Sequence, residues 1–127
     1  MDRFRLKKEE RLCSHNVIGN LFSDGRSFFI FPLKVVYLEL TEPSSFPVQA
    51  AFSVSRRNFK RAVKRNLLKR LMRESYRLNK NVLYDTIRNG KSLAVMFIYA
   101  GKEIKDYKVV ESAMKQALYK LLEVVRE

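Results

Sequence analysis

The sequence predicts a mixed α and β fold in one domain, and three features of its 127 residues carry that expectation. Apolar residues recur at helical spacing near both ends of the chain. Strand-like segments lie between them. A basic stretch, RRNFKRAVKRNLLKRLMR from Arg56 to Arg73, follows directly on one of those strands and takes helical spacing itself. A chain of this length suits one compact domain with a modest core, and 46% hydrophobic content argues against disorder.

Each element has a local reason. Ser14 is placed to cap a short helix carrying Val17, Ile18, Leu21 and Phe22 on one side, with Gly25 as the left-handed residue that stops it. Phe28 to Phe31 reads as a strand that Pro32 restricts to an edge or a bend. Leu33 to Leu40, LKVVYLEL, alternates and is rich in β-branched residues. Val48 to Ser55 repeats that character beyond the turn-rich TEPSSFP, so the two are expected to pair as a hairpin. Helical spacing begins at about Ala62. The stretch RLNKNVLYDTIRNG after the basic helix reads as a loop or one short extra turn of helix. Ser92 to Tyr99, SLAVMFIY, is a continuous apolar strand, expected in the centre of the sheet and buried on both sides. Asp106 is placed to cap a last helix whose Val109, Val110, Ala113, Met114, Ala117, Leu118, Leu121, Leu122 and Val125 recur at three and four, a stripe that packs on the sheet.

Charge narrows the function. Twenty-six Lys and Arg against 13 Asp and Glu give a formal net charge of +13 and a pI near 10.1, which points to a polyanionic partner and above all to nucleic acid. No stretch reaches the roughly 18 apolar residues of a spanning helix, and MDRFRLKKEER lacks the apolar region of a signal peptide. A cytoplasmic protein with no membrane role is expected. A single cysteine, Cys13, excludes an internal disulfide, and a single histidine, His15, removes most catalytic and metal arrangements built on that residue. There is no Ser/His/Asp set and no pair of carboxylates on one element face, since Glu9 and Glu10 are neighbours that point apart on a helix.

Projected at about 100° per residue, the basic helix separates into two sides. Val63, Leu67, Leu68 and Leu71 gather on one, and Ala62, Arg65, Asn66, Lys69, Arg70 and Arg73 on the other. Phosphates call for fixed cationic donors at a spacing near the backbone repeat, with Arg supplying a fork and Lys a point charge. A merely solvated face mixes signs, and this one carries no acidic residue until Glu74.

The stretch Ser53 to Tyr76, SVSRRNFKRAVKRNLLKRLMRESY, resembles the strand and basic helix of the bacterial ribonuclease P protein family. Its Arg65-Asn66, Lys69-Arg70 and Arg73-Glu74 stand in the family's order. Arg11-Leu12, Leu21-Phe22 and Gly25 to Ser27 are similar to the family's first helix and following turn. Two departures stand out. RRNFKRAV has no glycine where many members place one, and Ala51 stands where a strand glycine is common.

The resemblance implies an α+β two-layer sandwich of order α-β-β-β-α-β-α, with a left-handed β-α-β crossover carrying the basic helix, against the usual right-handed rule. It implies a subunit that joins a catalytic RNA to remove the 5′ leader of precursor tRNA, with the chemistry in the RNA and its Mg²⁺, no metal held by the protein alone and no protein partner required. By the same resemblance Arg56, Arg57, Lys60, Arg61, Arg65, Asn66, Lys69, Arg70 and Arg73 face the catalytic RNA. Phe22, Tyr37, Phe52 and Ser55 are the candidates for the single-stranded leader, which lies in a cleft between the first helix and the exposed sheet face in this family. A ribosomal or assembly protein that binds structured RNA without catalysis is the alternative, and a DNA-binding module with its helix in a major groove is another.

Overall fold

In the computed structural model, residues 15–40, 48–84 and 92–126 are described. The expectations for Ser14, Cys13, Arg11 and Leu12, for the side chains of His15 and Val125, for TEPSSFP and for residues 85–91 lie outside the described residues. The elements are α1 (His15–Asp24), β1 (Arg26–Ile30), β2 (Leu33–Leu40), β3 (Val48–Val54), α2 (Ala62–Asn79), α3 (Asn81–Tyr84), β4 (Ser92–Tyr99) and α4 (Tyr107–Arg126). This is the expected order with one short helix, α3, added where an extra turn was foreseen.

The strands form one sheet of order β1-β2-β4-β3. β4 pairs antiparallel with β2, from Leu33 opposite Tyr99 to Leu40 opposite Ser92, and parallel with β3, from Val48 opposite Leu93 to Val54 opposite Tyr99. The expected hairpin of β2 and β3 is therefore wrong, because β4 lies between them. A run as apolar as SLAVMFIY gains most where both faces are covered and both edges are paired, and every residue of β4 except Ile98 is buried. β3, parallel to β4, then needs a helical crossover, which α2 supplies. β1 is an edge strand, as Pro32 requires, with Phe29 opposite Lys34 and Ile30 opposite Leu33.

The two sheet faces carry different loads. Val48, Ala50, Val54, Leu93, Val95, Phe97, Tyr99, Leu33 and Val35 point to the main core, where Leu68, Met72 and Tyr76 of α2, Leu83 of α3 and the stripe Val110 to Leu122 of α4 meet them. Asp106 caps α4 as expected, its Oδ1 accepting a hydrogen bond from the Val109 amide at 3.1 Å. Val109 itself is exposed, in contrast to its place in the predicted stripe. On the reverse face Leu21 of α1 packs with Val36, Ala94 and Met96, flanked by Val17 and Ile18.

Gly25 ends α1 for a different reason from the one its type suggested. Its φ lies outside the left-handed region, and the glycine is needed for close approach: a Cβ there would sit 2.2 Å from the Leu21 carbonyl oxygen and 3.0 Å from that of Tyr37. The helix C-terminus is thereby pressed onto β2.

Candidate nucleic-acid interface

The basic segment divides into a loop, residues 55–61, and the helix α2. Three residues hold the loop, Ser55, Phe59 and Arg65. The Ser55 hydroxyl accepts a hydrogen bond from the Arg57 amide at 3.1 Å, and the Phe59 amide donates to the Ser55 carbonyl at 3.1 Å. The Phe59 ring is buried edge-on against Tyr99, with centroids 5.9 Å apart. Arg65 closes the loop from the helix, its Nη1 donating to the carbonyls of Phe59 at 2.8 Å and Lys60 at 2.7 Å. Arg56, Arg57, Lys60 and Arg61 are exposed on this fixed loop. Their backbone is ordered by these contacts, so less freedom is lost when an anion arrives.

Arg65 was grouped with the outward residues, and the structure corrects that. It lies three residues before Leu68, hence only about 60° around the helix from the buried stripe. Arg65 is half-buried and its guanidinium is used on the loop carbonyls. The apolar side is also rotated. Leu68 is buried and Leu67 and Leu71 are half-buried, but Val63 is 79% exposed, about 140° from Leu68, and the stripe continues instead through Met72 and Tyr76. Asn66, Arg70 and Arg73 form the outer face as expected, with Lys69 half-buried at its border.

Two further features raise the positive potential. Arg61 occupies the N-cap position of α2 without a side-chain cap hydrogen bond, and the first turn holds no acidic residue. The usual Ser, Thr, Asp or Asn would satisfy a first-turn amide and offset part of the helix dipole, so this N-terminus keeps its attraction for anions. Glu74, the acidic residue that closes the motif, is taken by Arg77, which donates Nε at 3.2 Å to one carboxylate oxygen and forms an ion pair with the other. Hydrogen bonding from Arg77 holds the Glu74 carboxyl below the usual carboxylate range.

Replacing Arg65 with alanine removes two charge-assisted bonds, and we expect a loss of about 1–3 kcal/mol of stability together with weaker RNA binding. Urea denaturation checks it: a residue that only met solvent and phosphate would leave the midpoint unchanged.

The four leader candidates do not share one surface. Phe52 stacks on Phe97 with centroids 5.7 Å apart and meets Tyr76 edge-on at 5.7 Å, half-buried against the main core. Tyr37 lies on the same face, 5.9 Å from Phe28. Both therefore turn toward the helical layer, because the alternation that buries Ala50 and Val54 carries Phe52 with them. Phe22 is on the α1 side and 62% exposed, while Ser55 belongs to the basic loop. The residues of β3 that do share the α1 side are Gln49, Ala51 and Ser53, all half-buried. The sequence marks Ala51 only as a departure from the family and does not single out Gln49 and Ser53, although the strict alternation with Ala50 and Phe52 is the signal for all three. Among the described residues no group of three His, Cys, Asp or Glu stands together as a metal site, and no helix is long and apolar enough to cross a membrane.

Comparison with known proteins agrees with this geometry. The family model described as Ribonuclease P matches residues 6–123. A ribonuclease P protein component of Porphyromonas gingivalis is 39% identical over 119 residues, covering 93% of this chain and 87% of the relative. That of Chlorobium phaeobacteroides is 31% identical, covering 91% of this chain and 87% of the relative. Among solved structures, the RNase P protein of Thermotoga maritima superposes with a TM-score of 0.69 at 25% identity, over 87% of this chain and 96% of that one. The RNase P protein of Staphylococcus aureus shares the fold with a TM-score of 0.66 over 93% of this chain and 99% of that one, at 20% identity. With its α+β order, its parallel β3-α2-β4 unit and its one-sided cationic helix, the chain belongs to the ribonuclease P protein family.

Proposed function

We propose that this chain is the RNA-binding protein subunit of ribonuclease P, acting in the cytoplasm with a catalytic RNA to cut the 5′ leader from precursor tRNA. The observation that carries the reading is the single-sign surface of residues 56–73, whose loop is fixed by Ser55, Phe59 and Arg65 and whose one nearby acid is occupied by Arg77. Arg56, Arg57, Lys60, Arg61, Asn66, Lys69, Arg70 and Arg73 meet the phosphates of the catalytic RNA, and Arg65 shapes the loop that presents four of them. If about six phosphates are neutralised, the logarithmic salt slope is roughly −4 to −5, and affinity falls several hundred-fold between about 50 and 200 mM salt.

The leader lies on the opposite side of the sheet, between α1 and β3. Phe22 offers a ring for stacking, and Gln49, Ala51 and Ser53 form the β3 strip on the α1 side of the sheet, with small side chains at two of the three positions. Tyr37 and Phe52 have no part in this cleft, since their rings complete the core. Mg²⁺ held mainly by RNA and substrate phosphates supplies the hydrolytic chemistry, and the protein contributes binding and orientation.

The test is cleavage of a leader-bearing precursor tRNA by the catalytic RNA at low Mg²⁺, with and without the protein. Protein-dependent cutting at the mature 5′ end that weakens on Lys69→Ala and Arg70→Ala is expected. Tight binding to the RNA with no stimulation in the same buffer points instead to a ribosomal or assembly role.

A further inference from the structure

At the other outer edge of the sheet, the turn between β1 and β2 exposes two aromatic rings. Phe29 and Phe31 are each 56% exposed, with centroids 6.4 Å apart and planes tilted by 57°. The two rings stand together, and each forfeits the burial its apolar area would gain. Cations surround this pair. Lys34 is the direct cross-strand neighbour of Phe29, and the Lys105 ammonium lies 5.9 Å from the Phe31 ring centre. Lys102 is exposed on the loop that carries Lys105. The acids on this loop are Glu103, 3.6 Å from Lys105 and pointing largely into solvent, and Asp106, whose Oδ1 caps α4, so three lysines against two carboxylates keep a net positive charge.

This patch is built into the same end of the molecule as the basic loop. The Ala100 amide donates to the Pro32 carbonyl at 2.8 Å, tying the loop after β4 to the aromatic turn. The Tyr99 hydroxyl accepts from the Lys105 amide at 2.9 Å and donates to the Glu103 carbonyl at 2.7 Å, which fixes the loop's path. On its other side the Tyr99 ring carries Phe59 of the basic loop. One buried tyrosine therefore couples the two cationic surfaces. Phe29 and Lys34 share the α1 side of the sheet with the leader strip, in one cross-strand row with Ile98 and Ser53, and are separated from it by distance: β1 and β3 are the outer strands, three strand spacings or about 14 Å apart, and α1 covers β2 and β4 between them.

We propose that the β1–β2 turn is a second RNA contact, in which Phe31 and Phe29 stack one or two unpaired bases of the catalytic RNA while Lys34, Lys102 and Lys105 meet the flanking phosphates. The proposal rests on the subunit reading above and extends the phosphate surface of residues 56–61 across the end of the sheet. Stacking on exposed rings tolerates any base, so the contact selects an unpaired segment and reads no sequence.

The chain has no tryptophan, so Phe31→Trp places a single reporter at the site. Its fluorescence is followed during titration with the catalytic RNA, with leader-bearing precursor tRNA, and with protein alone at rising concentration. Quenching by the catalytic RNA is expected, as is about tenfold weaker RNA binding by the Phe29→Ala, Phe31→Ala double variant, whose exposed positions leave the fold intact. Lys34→Ala with Lys105→Ala lowers the salt slope by roughly 1.4 to 1.8. If the wild-type protein binds the catalytic RNA but Trp reports nothing and the double variant binds as well as wild type, the stacking site is overturned and the subunit reading stands. Quenching only by precursor tRNA assigns the rings to substrate and overturns the proposal, and quenching by protein concentration alone does so in favour of a self-association edge. A wild-type protein that fails to bind the catalytic RNA removes the subunit reading and this proposal together.

Discussion

Changing Lys60, Lys69, Arg70 and Arg73 together to alanine lowers affinity for the catalytic RNA about a thousandfold at roughly 0.1 M salt. The figure follows from counterion release. Four phosphate contacts contribute about 3 to 3.6 to the salt slope, and each unit of slope is worth about a factor of ten between roughly 0.1 and 1 M salt. Three of the four side chains are exposed and Lys69 is half-buried, so the variant keeps its fold and its melting transition stays close to that of the parent. Filter binding across a salt series checks both numbers at once. An affinity and a slope that both stay at the parent values show that these cations face solvent and that the RNA lies elsewhere. If affinity drops and the slope does not, contacts other than phosphates were lost.

The surface tested by that experiment was largely legible in the sequence, because net charge and its one-sidedness survive any small error in helix phase. Its details were not. Val63 looked like the first residue of the apolar side, but residues at the start of a helix can lie beyond the layer it packs on, and the phase is set by Leu68, Met72 and Tyr76 in its middle. Arg65 looked like one cation among several. Its bonds to the Phe59 and Lys60 carbonyls depend on a loop path that no spacing rule encodes.

The same limit holds for the sheet. The apolar run of β4 announced a central strand, whereas the β2–β3 hairpin was assumed from their closeness in sequence and was displaced by β4 itself. Alternation along β3 defined two sets of residues without saying which set met the helices. Phe52 went to the wrong set for that reason, and Gln49 and Ser53 were overlooked.

Phe97→Ala is the substitution that tests how far the core and the RNA surface depend on one another. Phe97 is fully buried in the middle of β4, stacked on Phe52 of β3 and 5.4 Å from the ring of Tyr76 on α2. Its ring joins the two strands of the parallel pair to the helix that crosses between them. Truncation to alanine costs about 3–5 kcal/mol, since both the transferred area and the cavity count against the fold. Small domains have only about 5–15 kcal/mol in hand, so much of the stability goes with one side chain. The loss is measured as a drop in the urea midpoint without RNA. With saturating catalytic RNA much of it is recovered, because a ligand that binds the folded chain alone shifts the equilibrium by mass action. Phe97→Leu, which keeps most of the volume, loses clearly less. An unfolding free energy within about 1 kcal/mol of the parent for Phe97→Ala contradicts the packing described here. If RNA restores nothing to an otherwise destabilised variant, the orientation of α2 on the sheet is itself lost with the ring, and the cationic face goes with it.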